Sequence, residues 1–542
     1  MSRALAADLV VVGGGLGGVA AAHTAARLGR RVILVSRFEW LGGQLTTQAV
    51  PPDEHQWIET GTTSPSYAEL RTRIRAHYRR NYPLSARARR SADLNPGLGT
   101  VSRLCHEPRV AAIVIEELLS PSIASGLLTV LRGYSPVAAE RDGDTVTSVL
   151  VRHRDGSEVT LTAPLVADAT ELGDLLPLAG IGHVIGAESA AETGELHAPD
   201  LADPLDQQAV TWCCALELRI GEDHTIDRPA GYGHWRDTVD PRWPGPQLSW
   251  TDVVPDGLAI RTRPLFAAAP RSAEHRTDDD LWHYRRILAR RNLDPSFPGG
   301  EITLVNWPQA DYWELPLLGV DAETHRRALA GAREQTLSLV HWMQTEAPRA
   351  GGGQGYPELT LRGDVTGTLD GLAQEVYVRE SRRIRALVTV TEEHIGRLMR
   401  GDTGAAQFTD TTGIGYYRID LHPSTSGRTY VDIDCLPFQI PLGALIPQGI
   451  RNLLAAAKNI GTTHITNGAY RLHPVEWSIG EAVGALAVFC AETGSEPEAV
   501  HGKPALLADF QRLLTGTLGI TLSWPDEVRV PAARHDSIPL DA

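Results

Sequence analysis

Cysteine is scarce, with five in 542 residues: Cys105, Cys213, Cys214, Cys435 and Cys490. The number is odd and no pair has metal-site spacing, which argues against a disulfide framework and fits a reducing compartment. Adjacent Cys213 and Cys214 read as two buried thiols rather than a strained vicinal bridge. No apolar run reaches the roughly 18 residues that a membrane span needs. Met1 to Ala7 is too short for the apolar core of a secretion signal, so the expected location is the cytoplasm. Basic charge is in deficit: the formal net charge is -15, although residues 71–90 are locally basic. That balance disfavours nucleic acid and anionic membrane as partners, and leaves a small-molecule substrate and a possible homo-oligomer. The glycine-rich stretch Ala350 to Gly355 has no strand before it and no Lys-Ser/Thr after it, so it is not a phosphate loop. No metal site is expected.

The most informative stretch is residues 8–48, DLVVVGGGLGGVAAAHTAARLGRRVILVSRFEWLGGQLTTQ. Asp8 to Val12 reads as a buried parallel strand, Ala20 to Leu28 as a helix, Gly29 as its C-cap and Arg31 to Val35 as a second strand. Gly13, Gly15, Leu16, Gly17 and Gly18 lie in the glycine-rich turn between the first strand and the helix. In that frame Gly13 permits the tight turn, Gly15 the approach of a pyrophosphate, and Gly18 close packing of helix on strand. The alternative is a glycine-rich turn without a ligand. The second strand ends in Ser36-Arg37, where a carboxylate usually takes the ribose hydroxyls. Ser36 can bond a ribose hydroxyl, Glu39 can supply a carboxylate from the loop, or Arg37 can signal a 2′-phosphate and NADP.

Trp40-Leu41-Gly42-Gly43-Gln44-Leu45-Thr46 follows as a second glycine pair and argues against NADP. It resembles the G-G-Q segment of FAD-dependent oxidoreductases of the glutathione-reductase-like superfamily. More narrowly, it is similar to a bacterial family whose N-terminus carries W-L-G-G-Q-L-T. Two further segments extend the resemblance. Asp168-Ala169-Thr170 is similar to a strand ending in A-T-G, with Glu171 in the place of glycine. Asn452 to Ala457 with Lys458-Asn459 is similar to the closing N-L-L-x-A-G-R segment. The resemblance implies FAD as cofactor and an α/β fold: a Rossmann-like FAD-binding domain with an interleaved α+β substrate domain. It places Gly13, Gly15, Leu16, Gly17, Gly18, Ser36, Arg37, Gly42, Gly43, Gln44, Val137, Ala169, Thr170, Lys458 and Asn459 at the cofactor. His473, Pro474 and Trp477 join them on a small-residue helix whose N-terminus faces the flavin ring. The cofactor domain is expected over 1–174, including a β-meander over 127–161, and over 431–500. The substrate domain is expected over 175–430, and a C-terminal helix and tail over 501–542.

Within the middle region, Ala322 to Thr345 reads as a long amphipathic helix, and Leu281 to Arg291 and Tyr377 to Ile384 as helical stretches. The arginines of the last either clamp a carboxylate substrate or pair with Glu380, Glu392 and Glu393. Arg418, Asp420 and His422 fall on one strand face at spacing two. The expected catalytic residues are His464 and Arg471, placed beside the ring by the resemblance, with His422 and Arg418. No Cys-x4-Cys follows Gly43, which excludes a disulfide-reductase mechanism. No second G-x-G-x-x-G stands in a strand-turn-helix frame, which argues against a separate NAD(P)H domain. The leading expectation is oxidation of a small organic substrate by hydride transfer to FAD, with oxygen or another acceptor reoxidising it. The alternatives are a flavin monooxygenase, a tRNA-modifying flavoprotein, which the acidic charge opposes, and a non-catalytic flavin binder.

Overall fold

A computed structural model describes residues 3–255, 257–267 and 280–531; the tail expected after the C-terminal helix lies in part outside them. In chain order the first region contributes β1 (Arg3–Ala6), β2 (Leu9–Val12), α1 (Leu16–Arg27), β3 (Val32–Ser36), α2 (Pro65–Asn81) and α3 (Pro108–Ala124). It continues with β4 (Leu128–Arg132), β5 (Tyr134–Asp142), β6 (Thr145–His153), β7 (Glu158–Thr162) and β8 (Leu165–Asp168). The middle region holds β9 (Cys214–Leu218), β10 (Arg286–Leu288), β11 (Ile302–Val305), α4 (Ala322–Thr345), β12 (Leu359–Leu361), β13 (Ile419–Leu421) and β14 (Val431–Ile433). The last region adds β15 (Leu453–Ala455), α5 (His464–Tyr470), α6 (His473–Thr493) and a further helix, Pro504–Arg512.

The fold is mixed α/β. Its central sheet is parallel and five-stranded, in the order β15-β8-β2-β3-β4. The strands β2, β3, β8 and β15 are buried at every residue, which is why they read as unbroken apolar runs. Edge strand β4 buries Leu128 and Leu131 and leaves its other residues partly or fully exposed. It is not the first strand of the meander, as its sequence suggests. It pairs parallel with β3, Val32 opposite Leu128, because α3 carries the chain back to the start of the sheet. The separate sheet is completed instead by β1, in the order β1-β7-β6-β5.

The middle region builds an antiparallel sheet, β10-β11-β9-β12. Helix α4 has the expected bounds, and the Asp321 side chain caps it by accepting from the Thr324 N–H at 2.7 Å. Two expected helices are not formed. Helix covers Leu281–Tyr284 only, and the chain then extends into β10 as Arg286 turns to Glu301 at 3.0 Å. The stretch from Tyr377 is extended: Tyr377 exchanges backbone hydrogen bonds with Thr211, and Arg383–Ile384 pairs with His183–Val184. The five cysteines are free buried thiols. One described helix, α6, is long and apolar enough to cross a membrane, and 89% of its apolar window is buried in the protein.

Helices α1 and α6 meet backbone to backbone. A Cβ at Gly480 would lie 2.0 Å from the Gly17 carbonyl oxygen, and one at Gly484 would lie 2.4 Å from that of Ala21. Gly480→Ala is therefore expected to cost about 1–3 kcal/mol through overpacking, read as a lower melting temperature. On the same helix Glu481 accepts from the Ser66 hydroxyl, and burial pushes its carboxyl up to about 7. An acid whose pKa is raised by folding binds its proton more tightly in the native state. Stability then falls as pH rises from the ordinary carboxylate range, near 4, to about 7. Glu481→Gln should match the parent near pH 4 and exceed it in thermal stability at pH 8.

Candidate active site

The carboxyl ends of β2, β3 and β8 open into a cleft of about 910 Å³. Its lining includes Gly13, Gly15, Ser36, Arg37, Gly43, Ala169, Thr170, Glu171 and Glu375. Gly13 has φ +119°, and a Cβ there would lie 2.0 Å from the Ala169 carbonyl oxygen. A Cβ on Gly43 would lie 2.9 Å from the Gly15 Cα, so the two glycine turns face each other closely. Leu16, Gly17 and Gly18 sit inside α1 and serve packing. A Cβ on Gly17 would lie 1.9 Å from the Ala456 carbonyl oxygen, and the Gly17 N–H donates to Glu476 Oε1 at 3.1 Å. Gly42, at φ +113°, forms the turn before Gly43.

The ribose end differs from expectation. Arg37 is paired with Glu375 at 2.9 Å, which removes its uncompensated charge. Glu39 points outward to Arg154 at 3.0 Å. The carboxylate beside Ser36 and Arg37 is thus Glu375, more than 300 residues away in sequence. Strand β5 brings Tyr134, Ser135 and Pro136 to the cleft rather than Val137, because the chain has moved away from the opening by that residue. Lys458 is buried between Glu171, with which it forms an ion pair, and Glu476 at 3.7 Å. Asn459 spends its amide on the protein: Nδ2 donates to the Asp168 carbonyl at 3.0 Å and Oδ1 accepts from the Ala457 N–H at 3.1 Å. Gln44 Nε2 donates to the Arg471 carbonyl at 2.9 Å and to Glu476. The His473 Nδ1 accepts from the Asp53 N–H at 3.1 Å, which leaves the proton of the neutral ring on Nε2. Burial, then Arg285 and Lys458, hold this imidazole well below its usual pKa, so it is uncharged. Pro474 occupies the first turn of α6, and Trp477 anchors α2 by donating to the Ser66 hydroxyl at 2.7 Å.

A second pocket, of about 570 Å³, is lined by Arg471, Asp420 and His422 together with Asp53, Arg285, Asn306, Tyr377, Arg379, Tyr417 and Tyr430. The remaining catalytic candidates lie elsewhere. Arg418 precedes β13 and is drawn to the neighbouring strand, where it pairs with Asp432 and, at 3.2 Å, Asp434. His464 lies between Glu380, at 2.9 Å, and Arg428, and lines neither cavity. Of the arginines after Tyr377, Arg379 pairs with Asp311 at 3.1 Å and lines the pocket, whereas Arg383 pairs with Glu380 and Glu188. Asp53, Arg285 and Glu375 carry no local sequence signal, and Asp311 none beyond its place in a run of polar residues between aromatics, Val305 to Trp313.

The family model described as FAD dependent oxidoreductase matches residues 8–514. The chain belongs to the FAD-dependent oxidoreductase family. It is an oxidoreductase that uses FAD. No curated protein matches the sequence. Among solved structures, L-proline dehydrogenase from P. horikoshii is 14% identical, over 35% of this chain and 25% of that one, with a TM-score of 0.19. This chain thus spans a quarter of that relative. A geranylgeranyl bacteriochlorophyll reductase-like protein from Thermoplasma acidophilum is 11% identical, over 95% and 84% of the two chains, at TM-score 0.33. OxyS anhydrotetracycline hydroxylase from Streptomyces rimosus is 13% identical, over 95% and 68%, also at 0.33.

The residues present fit FAD. The glycine turns at Gly13–Gly15 and Gly42–Gly43 leave room for a pyrophosphate at the start of α1. Buried polar atoms without a hydrogen-bond partner among the described residues include Gln44 Oε1, Glu171 Oε1 and His473 Nε2. Such groups need a bound partner to offset their desolvation. The Glu171 carboxylate abuts both Gly15 and Gly43, at 2.8 Å from a Cβ built on either. It places negative charge where a pyrophosphate approaches, and Lys458 offsets that charge. Glu171→Gln should therefore slow FAD loss on dialysis, tightening binding by roughly tenfold, since a like charge at about 4 Å costs about 1–4 kcal/mol.

Proposed function

We propose a Rossmann-like FAD-binding unit with residues 175–430 as its interleaved substrate domain. In this reading the enzyme oxidises a small organic substrate by hydride transfer to the flavin, and oxygen or another acceptor reoxidises it. One observation carries the proposal. The short segment Glu375–Arg379 lines both cavities: Glu375, Val376 and Val378 face the cofactor cleft, and Tyr377 and Arg379 the second pocket. A molecule in that pocket is separated from the cleft by a single layer of chain. Bound FAD supplies the two-electron acceptor.

The chain's own residues supply proton handling and orientation. Asp311 is fully buried, which pushes its carboxyl up, but Arg379 and His422 outweigh burial and hold it below the usual range. The ionised Asp311 accepts a hydrogen bond from His422 Nδ1 at 2.6 Å, which turns Nε2 toward the pocket, 3.7 Å from Asp420 Oδ2, as the candidate site for proton exchange with substrate. Arg471 donates to the Tyr377 hydroxyl at 2.7 Å and pairs with Asp420 at 3.3 Å. Burial raises the Tyr377 phenol, which stays protonated and free to donate onward.

Small alcohols, amines and hydroxy acids mixed with the flavin-loaded protein without oxygen should include one that bleaches the flavin band with no nicotinamide added. His422→Gln should keep the flavin spectrum and slow that bleaching by about 10²–10⁴-fold. Bleaching only on addition of NADH or NADPH, with oxygen then required for product, would replace this reading by monooxygenation.

A further inference from the structure

The second pocket is unusually rich in arginine. Arg261, Arg263, Arg285, Arg379 and Arg471 line it. Four aspartates answer them. Asp252 takes Arg261 and Arg263 at 2.7 and 2.5 Å, and Asp311 takes Arg379 at 3.1 Å. The other two pairs are longer: Arg285 to Asp53 at 3.4 Å and Arg471 to Asp420 at 3.3 Å. Among the described residues one guanidinium charge is left in excess. The two loosely paired side chains are 9% and 3% exposed, and the Nε of each has no hydrogen-bond partner among the described residues. Tyr284 lies 5.1 Å below the Arg285 guanidinium, which fixes the plane of the fork.

The neutral groups follow the same pattern. Asn306 is 4% exposed, yet its amide nitrogen and oxygen both lack partners, as does the buried Tyr430 hydroxyl. Burying such groups without a partner is destabilising, so their concentration marks a site kept for a polar ligand. Among the described residues the lining contains no aliphatic side chain besides Pro255 and Pro308, and its other apolar surface is tyrosine ring.

The geometry points to a small hydroxylated carboxylic acid as the substrate, its carboxylate held by Arg285 and Arg471 and its hydroxyls by Asn306, Tyr430 and His422. This rests on the reading of the pocket as the substrate site. One excess positive charge matches one carboxylate. A guanidinium fork suits its two oxygens. The amide and phenol offer both donors and acceptors, as hydroxyl groups require.

The test is calorimetric titration of the flavin-loaded protein with glycolate, malate and gluconate, each beside its neutral amide. At least one acid should bind ten or more times tighter than its amide. Arg285→Gln should weaken that acid at least tenfold and leave the amide unchanged, with Arg285→Lys intermediate. Equal binding of acid and amide, no binding by any acid of the series, or unaltered acid binding by Arg285→Gln would overturn the inference. If Arg285→Gln fails to fold, the acid-to-amide ratio of the parent protein decides alone. Selective acid binding with no anaerobic bleaching by that acid or any other compound would overturn hydride transfer and leave the carboxylate site standing. Bleaching by a neutral alcohol with no acid bound would overturn the site and leave hydride transfer standing.

Discussion

Helix α1 lies against helix α6 with no side chain between their backbones at Gly17 and Gly480, and the cofactor cleft depends on that contact. It joins residues 16–27 to residues 473–493, so the two ends of the chain share one wall. With the helices this close, Glu476 in the first turn of α6 reaches the N–H of Gly17 at the start of α1. A free helix N-terminus attracts negative charge, and here a carboxylate of the protein answers part of it. Lys458, arriving from β15, then lies between Glu476 and Glu171. Three charges from three distant segments converge where the glycine turns leave space.

Electrostatics then divides the two cavities. In the cleft, cations are matched: Arg37 by Glu375, and Lys458 by two glutamates. In the second pocket arginine outnumbers aspartate, and the longest pairs involve the residues nearest the cofactor motifs. Arg471 stands two residues before His473, and Asp53 bonds the His473 ring. The segment from Glu375 to Arg379 separates one environment from the other by being extended, which turns Val376 and Val378 to the cleft and Tyr377 and Arg379 to the pocket.

The parallel sheet and the glycine turns were legible because they are local. Buried parallel strands show as valine-rich runs, and a turn that tolerates no Cβ shows as glycine. The W-L-G-G-Q, D-A-T and N-L-L segments were equally local, and each leads to the cleft or its walls. The site beyond the cofactor was less legible, because ion pairing chooses partners by space rather than by sequence. Arg418, Asp420 and His422 share a spacing of two, which suggests a common face. The strand starts only at Ile419, however, and Asp432 and Asp434 are stronger attractions for Arg418 than the pocket. Glu375 could not be assigned to Arg37 across more than 300 residues. Extended arginine-rich stretches such as 285–288 and 377–384 read as helix in the sequence, since charged side chains carry helix propensity wherever their tertiary partners lie.

The central claim is that the flavin ring lies where the cleft meets the arginine-lined pocket. Diffraction from crystals of the flavin-loaded protein tests it most directly. The account predicts the pyrophosphate between Gly15 and Gly43, and the ring between the start of α6 and the segment 375–379, with one edge open to Arg471 and His422. A ring directed away from that segment, with solid protein between it and the pocket, would contradict the account.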